Sequence, residues 1–75
     1  MTGGVSGRIK MGAGSAINSN AVAVIKCIRN YTGMGLKEAK DIWDASKLQL
    51  TDIRVEPDRQ RDFARELRNL GCNVV

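Results

Sequence analysis

A chain of 75 residues is long enough for one small domain and too short to enclose a deep substrate cavity beside a catalytic centre. The sequence contains no histidine. This excludes Ser-His and Cys-His nucleophilic catalysis, and we do not expect an enzyme. Twelve Lys and Arg residues against eight Asp and Glu residues give a net charge of +4, which suits either an acidic protein or a nucleic acid as partner.

The cysteine content argues against a bound metal. Cys27 and Cys72 are the two cysteines, and without histidine they fall short of the four ligands of a structural zinc site. We expect two reduced, buried thiols and no metal or cofactor. The sequence has no apolar run of about 18 residues and no secretory signal at its start, so we expect a cytoplasmic protein with no membrane partner.

The first predicted element is a strand. Residues 5–11 alternate between apolar side chains at Val5, Ile9 and Met11 and cations at Arg8 and Lys10. Glycines at 3, 4 and 7 weaken the pattern, so we predict a short edge strand preceded by flexible residues 1–4. Residues 12–16 have the composition of a loop.

The next element is a helix that starts after Ser19 or Asn20, either of which can serve as N-cap, and runs through Tyr31. Its predicted core stripe consists of Ala21, Val24, Ile28 and Tyr31, with Cys27 at the edge.

The opposite face of this helix is unusual. Val22 and Ile25 lie there, beside Lys26 and Arg29. The outer face of a helix buried on one side should be polar, so two β-branched apolar residues among cations are an anomaly that core packing does not explain, and one explanation is a surface that binds a partner. The alternative is incidental exposure, which is common for single apolar residues.

The segment Thr32-Gly33-Met34-Gly35 interrupts the helical pattern. Gly33 suits a left-handed helix end, and Gly35 would permit a sharp reversal into a second helix. The alternative, a phosphate-binding loop, requires a preceding strand and a Gly-Lys-Ser/Thr ending, both of which are missing. We therefore predict the turn of a helix hairpin.

The second helix is predicted over residues 36–45. Its inner face should contain Leu36, Ala39, Ile42 and Trp43. Lys37 and Lys40 fall outside this face or at its border. They could contact a partner or simply solvate the helix, with Lys37 and Asp41 forming an i,i+4 ion pair.

The remaining elements complete the order β-α-α-β-α-β. The apolar parity of residues 48–55 changes at Asp52, which places a strand near 52–55. Pro57 suits the first turn of a third helix, and Gly71 would end that helix before a final strand over 72–75. Its predicted core stripe is Phe63, Ala64, Leu67 and Leu70. The order predicts an α+β fold with three helices on one face of a small three-stranded antiparallel sheet.

The third helix also has a strip of arginines: Arg61, Arg65 and Arg68. These side chains could contact phosphates or another anionic partner. Interspersed Asp58, Asp62 and Glu66 favour the other interpretation, a solvated surface with salt bridges.

The helix hairpin closely resembles that of the C-terminal domain of the bacterial ribosomal stalk protein. The resemblance is carried by the run NAVAVIKCIR at 20–29 and the run TGMGLKEAKD at 32–41. It is closest over residues 20–44 and extends, as element order only, over about 5–75.

In that family the exposed face of the hairpin binds translational GTPases: elongation, initiation and release factors. By resemblance, the docking positions are Val22, Ile25, Lys26, Arg29 and Lys40, and the first four are the residues left outside the core above. The resemblance thus implies a domain that works in translation by binding a translational GTPase or a ribosome-associated protein.

The chain also departs from the family. We expect it to have neither the family's N-terminal helical domain nor its hinge. It is basic where the family is acidic, and it has Tyr31 and Trp43 at positions that are usually small or aliphatic. We therefore expect a stand-alone domain that mimics or competes with the stalk, encoded by a phage or mobile element. Two alternatives of other classes are a nucleic-acid-binding protein that uses the third-helix arginines and a module resembling protease adaptors.

Overall fold

A computed structural model describes residues 7–75, with the elements in the predicted order. Strand β1 (Gly7–Gly12) leads through a short 3-10 helix (Gly14–Asn18) to helices α1 (Ala21–Thr32) and α2 (Leu36–Ser46). Strand β2 (Thr51–Val55) is followed by a 3-10 turn (Pro57–Arg59), helix α3 (Gln60–Asn69) and strand β3 (Asn73–Val74). The predicted flexibility of residues 1–4 and the predicted strand start at Val5 lie outside the described residues.

The three strands form one antiparallel sheet in the order β2-β1-β3. This confirms the predicted α+β class, but the prediction that the first strand lies at an edge is wrong, because β1 has a neighbour on each side. Gly7 weakens the predicted strand pattern, but in the structure it favours pairing. A Cβ at this position would collide with the carbonyl oxygen of Val55, so glycine permits close pairing of β1 with β2.

Side chains alternate across the sheet as a one-sided core requires. Ile9 and Met11 of β1 are buried, as are Ile53 and Val55 of β2, whereas the residues between them are exposed. The helices cover the buried face, and their buried side chains complete the core: Val24, Cys27, Ile28, Ala39, Trp43, Phe63 and Leu67. Among residues 7–75, the side chains on the other face, such as Lys10 and Arg54, are exposed, and we call this the open face of the sheet.

The inner face of α1 agrees with the predicted stripe. Val24 and Ile28 are fully buried, and Ala21 and Tyr31 are partly buried against the core. Cys27, predicted at the edge, is buried because α3 packs beside it. Tyr31 stacks on Phe63 of α3 with ring centroids 5.1 Å apart, which accommodates an aromatic ring at the end of α1.

The inner face of α2 is shorter than predicted. Ala39 and Trp43 are buried and Ile42 is partly buried, but Leu36 is 58% exposed, so its assignment to the inner face is wrong. Leu36 is the first residue of the helix. Helical side chains point toward the N-terminus, so this one extends beyond the end of the core.

Helix α3 lies between the two predicted signals, although it begins after Pro57 and not with it. Pro57 opens the 3-10 turn that leads into α3, three residues before the helix begins, and Gly71 follows the helix with a left-handed φ of 103°. Phe63 and Leu67 are buried, while Ala64 and Leu70 are partly buried. The chain then passes through β3, which is shorter than the predicted strand over 72–75, and Val75 directly after it donates its backbone N–H to the carbonyl of Lys10 over 2.9 Å.

Candidate protein-docking surface

The turn between α1 and α2 sets the geometry of the hairpin. Gly33 adopts the left-handed conformation, with φ 76°, and its N–H donates to the carbonyl of Arg29 over 2.9 Å. The Thr32 hydroxyl donates to the carbonyl of Ile28 over 2.5 Å and accepts from the N–H of Met34 over 3.2 Å. The turn joins two helices, so the predicted helix hairpin is confirmed and the phosphate-loop alternative is not.

Gly35 differs from Gly33 in its backbone conformation. Its φ of −71° and ψ of 167° are extended values that any residue adopts, and a Cβ built there would meet no atom within 4 Å. The reversal permitted by Gly35 therefore uses backbone angles that do not themselves require glycine. Of the two glycines in the turn, only Gly33 is required by the local conformation.

The outer face of α1 carries the apolar and cationic residues singled out in the sequence. Val22 is 67% exposed, and Lys26 and Arg29, which follow it along α1, are also exposed. Ile25 differs, because it is partly buried and packs against the core. It lies three residues before Ile28 on the helix surface, and so reaches the border of the core stripe. Only Val22 of the apolar pair is fully available to a partner.

Lys26 and Arg29 line one shallow depression, which we call the cationic depression. It has a volume of about 490 Å³, and its other lining residues are Asn30, Gly33 and Met34. The structure thus brings Lys26, Arg29 and the hairpin turn together. Lys37 and Lys40 are exposed on α2 but do not line this depression.

These cations are electrostatically unpaired. Within residues 7–75, one ion pair forms, between Lys47 and Asp44 at 3.3 Å. The predicted pair of Lys37 with Asp41 is wrong, since no bridge within 4 Å joins them in this part of the chain. The cations of α1 and α2 are therefore available for acidic groups of a partner.

The arginines of α3 are also unpaired among the described residues, so the prediction that salt bridges occupy them is wrong. Arg61 and Arg68 line a depression of about 440 Å³ beside β3, and Arg65 is not part of its lining. This depression does not include the residues of the hairpin. It forms a second cationic area, separate from the first.

A third depression, which we call the α1/α3 groove, lies between these two helices and has a volume of about 310 Å³. It is lined by Ala23, Lys26, Cys27, Asn30, Glu66, Asn69 and Leu70. Apart from Lys26, the sequence did not point to these residues as a surface. The groove results from how α1 packs on α3, and no local pattern encodes that packing.

Cys27 forms the floor of this groove as a neutral thiol. Burial, together with the neighbouring Glu66 carboxylate, raises the pKa of Cys27 from 9.0 to about 12. Its Sγ lies 3.6 Å from Oε2 of Glu66, to which it can donate a hydrogen bond. Burial also raises the pKa of Cys72 to about 11. Both cysteines are free and buried, as predicted, and a thiol with so high a pKa is a poor nucleophile.

Residues 7–75 contain no group of three or more ligating side chains that could hold a metal ion. None of the helices in this range is long and apolar enough to span a membrane.

Comparisons with a family model and with curated proteins both match this chain to the same ribosomal protein family. A family model described as the ribosomal protein L7/L12 C-terminal domain matches residues 15–75. The large ribosomal subunit protein bL12 of Aeromonas hydrophila is 42% identical over 60 residues, covering 80% of this chain and 49% of the relative. The bL12 of Sodalis glossinidius is 42% identical over 60 residues, which cover 80% of this chain and 48% of that protein.

A more distant relative gives the same match. The bL12 of Chlorobium chlorochromatii is 36% identical over 59 residues, covering 79% of this chain and 47% of that protein. The chain thus spans about half the length of the curated relatives that it matches. A search of solved structures found no match.

Proposed function

Because the chain belongs to the ribosomal protein L7/L12 C-terminal domain family, we propose that it is a protein-binding domain that docks on translational GTPases through its helix hairpin. The docking face consists of Val22, Ile25, Lys26 and Arg29 on α1, with Lys40 and Lys37 on α2. Docking on these factors takes place in the cytoplasm.

One observation carries the proposal. A largely exposed valine, Val22, lies on the same helix as Lys26 and Arg29, and these two cations line one depression without an ion-pair partner among residues 7–75. Burying Val22 against a partner would supply a desolvated centre, while the cations would steer association with an acidic surface. Neither feature contributes to the core, so both are better explained by binding than by folding.

The experiment is an NMR titration of the labelled domain with purified elongation factors. We expect shifts that cluster on residues 20–40 and disappear in the Lys26→Glu and Arg29→Glu variants. Lys10→Glu is the matched control, because Lys10 is an exposed lysine on the open face of the sheet, away from the hairpin. Factor binding that survives both hairpin variants would contradict the docking face.

Competition with the ribosomal stalk for the same factors is the mode of action that we propose. Adding full-length bL12 should then displace the factor from the domain. The predicted phage or mobile-element origin stays a prediction.

The second candidate function is nucleic-acid binding through Arg61, Arg65 and Arg68. It is favoured by the lack of ion pairs at these arginines in the described part of the chain. Binding to RNA would weaken steeply with salt and would respond to Arg61→Glu and Arg65→Glu but not to Lys26→Glu. Binding that is unaffected by the α3 variants would exclude this function.

A further inference from the structure

The cationic depression and the α1/α3 groove are neighbours. Lys26 and Asn30 line both of them, so one turn of α1 forms the ridge between the two. On one side of this ridge lie Arg29, Gly33 and Met34 of the hairpin. On the other side the surface continues onto α3, which the proposed docking face does not include.

The two sides of the ridge differ in chemistry. The groove is floored by the partly buried Ala23 and Leu70 and by the neutral thiol of Cys27. Its volume of about 310 Å³ can accept one large apolar side chain. Glu66 on its α3 rim repels an acidic group, whereas Lys26 and Arg29 on the hairpin side attract one. This asymmetry sets both the chemistry and the direction of a ligand.

We propose that the α1/α3 groove binds one large apolar side chain of the docked partner, with the partner's adjacent acidic side chains placed over Lys26 and Arg29. For the identity of the partner this inference rests on the proposed function. For the chemistry of the ligand it rests on the groove and the unpaired cations alone. The docking surface then extends over three helices, and Ala23, Cys27 and Leu70 select for an apolar residue.

The first experiment uses a capped peptide with two glutamates followed by one leucine, and a matched peptide in which serine replaces the leucine. The leucine peptide should bind the wild-type domain roughly tenfold or more tightly, since burial of one leucine side chain is worth that much. Its NMR shifts should include the amides of Ala23, Cys27 and Leu70.

The same two peptides are then tested on the domain variant Ala23→Leu, which fills the groove without changing any charge. It should bind both peptides equally weakly. Ala64→Leu is the matched control, because Ala64 is partly buried on α3 but lines the separate depression beside β3. This control should keep the preference for leucine. If Ala23→Leu does not fold, Asn69→Trp blocks the groove from its exposed α3 rim and should give the same result.

The proposal is overturned if the wild-type domain does not distinguish the two peptides, or if the groove-filling variants keep the preference for leucine. Titration with elongation factors separates this failure from that of the proposed function. If Lys26→Glu abolishes factor binding and the groove variants leave it unchanged, the docking function stands and the groove proposal falls. If no factor binds while the leucine peptide occupies the groove, the groove proposal stands and the assignment of a translational GTPase falls.

Discussion

The side-chain amide of Asn20 donates a hydrogen bond to the carbonyl oxygen of Leu70 over 2.7 Å, and so connects the start of α1 to the end of α3. Asn20 occupies the N-cap position of α1, but its side chain makes no capping bond to that helix. It satisfies instead one of the carbonyls that α3 leaves open at its C-terminal end. One short side chain therefore adds a hydrogen bond between the two helices that form the groove, beside the stack of Tyr31 on Phe63 and the packing of the core.

This arrangement predicts how replacements of Asn20 behave. Asn20→Ala should lower the free energy of unfolding by about 1–2 kcal/mol, because the carbonyl of Leu70 loses its donor. Asn20→Asp should cost at least as much, since a carboxylate cannot donate, although aspartate is as good an N-cap as asparagine. Urea unfolding at neutral pH measures both. An aspartate variant as stable as wild type would mean that the residue acts as a cap of its own helix.

The two apolar residues on the outer face of α1 should separate binding from stability. Val22→Ala should weaken factor binding and leave the free energy of unfolding within about 0.5 kcal/mol, because Val22 is exposed. Ile25→Ala should cost about 1–2 kcal/mol of stability, less than a fully buried isoleucine, because Ile25 packs on the core border. Calorimetric titration and urea unfolding of both variants give the comparison. Equal stability losses would contradict the placement of Ile25.

The two glycines of the turn should respond differently to alanine. Gly33→Ala should destabilise the domain by about 1 kcal/mol, because alanine resists the left-handed conformation. Gly35→Ala should be close to neutral, since its backbone is extended and its Cβ position is free. Thermal unfolding of the two variants, measured side by side, checks the difference. A larger loss at 35 than at 33 would contradict the turn geometry.

The buried thiols should make the domain less stable in alkaline solution. Unfolded thiols lose their protons near pH 9.0, whereas folded Cys72 and Cys27 keep theirs until about 11 and about 12. Between these limits the folded state binds more protons, so the free energy of unfolding falls as the pH rises, by at most about 1.4 kcal/mol per pH unit for each thiol. Below pH 9 their contribution is fully present.

The measurement is urea unfolding under reducing conditions from pH 8 to pH 11, with a Cys27→Ala/Cys72→Ala variant as the control. The control should show a shallower dependence on pH, whatever its absolute stability. The same slope in both proteins would assign the alkaline loss to other groups.

The order and type of the elements could be predicted because each has a local cause. Pro57 opens the 3-10 turn that leads into α3, the left-handed Gly33 ends α1, and apolar periodicity marks the core stripes. The position of β1 in the sheet could not, because it depends on pairing with residues at the far end of the chain. Leu36 was misplaced for a related reason: a helical wheel gives the direction of a side chain but not whether the core extends to that turn.

The residues of the candidate site likewise fall into those that the sequence could indicate and those that only the fold brings together. Val22, Lys26 and Arg29 stood out because they break the expected polarity of an outer helix face, which is visible along one helix. Ala23, Asn69 and Leu70 did not stand out, because their common surface forms only where α1 meets α3. Sequence spacing also does not show that, among residues 7–75, Lys37 forms no ion pair with Asp41 and the α3 arginines form none, because spacing permits such pairs without ensuring them.

The central position of β1 in the sheet also affects when the domain can fold during its synthesis. The strand that is synthesised first lies between β2 and β3, and its last hydrogen-bonded partner is residue 75. Contacts between such distant parts of a chain form slowly, because a long loop must close before they contribute. The sheet cannot be completed while the last residues are still inside the ribosomal exit tunnel. We therefore expect the domain to reach its native state only after the end of this segment has emerged, with α1 and α2 able to form earlier.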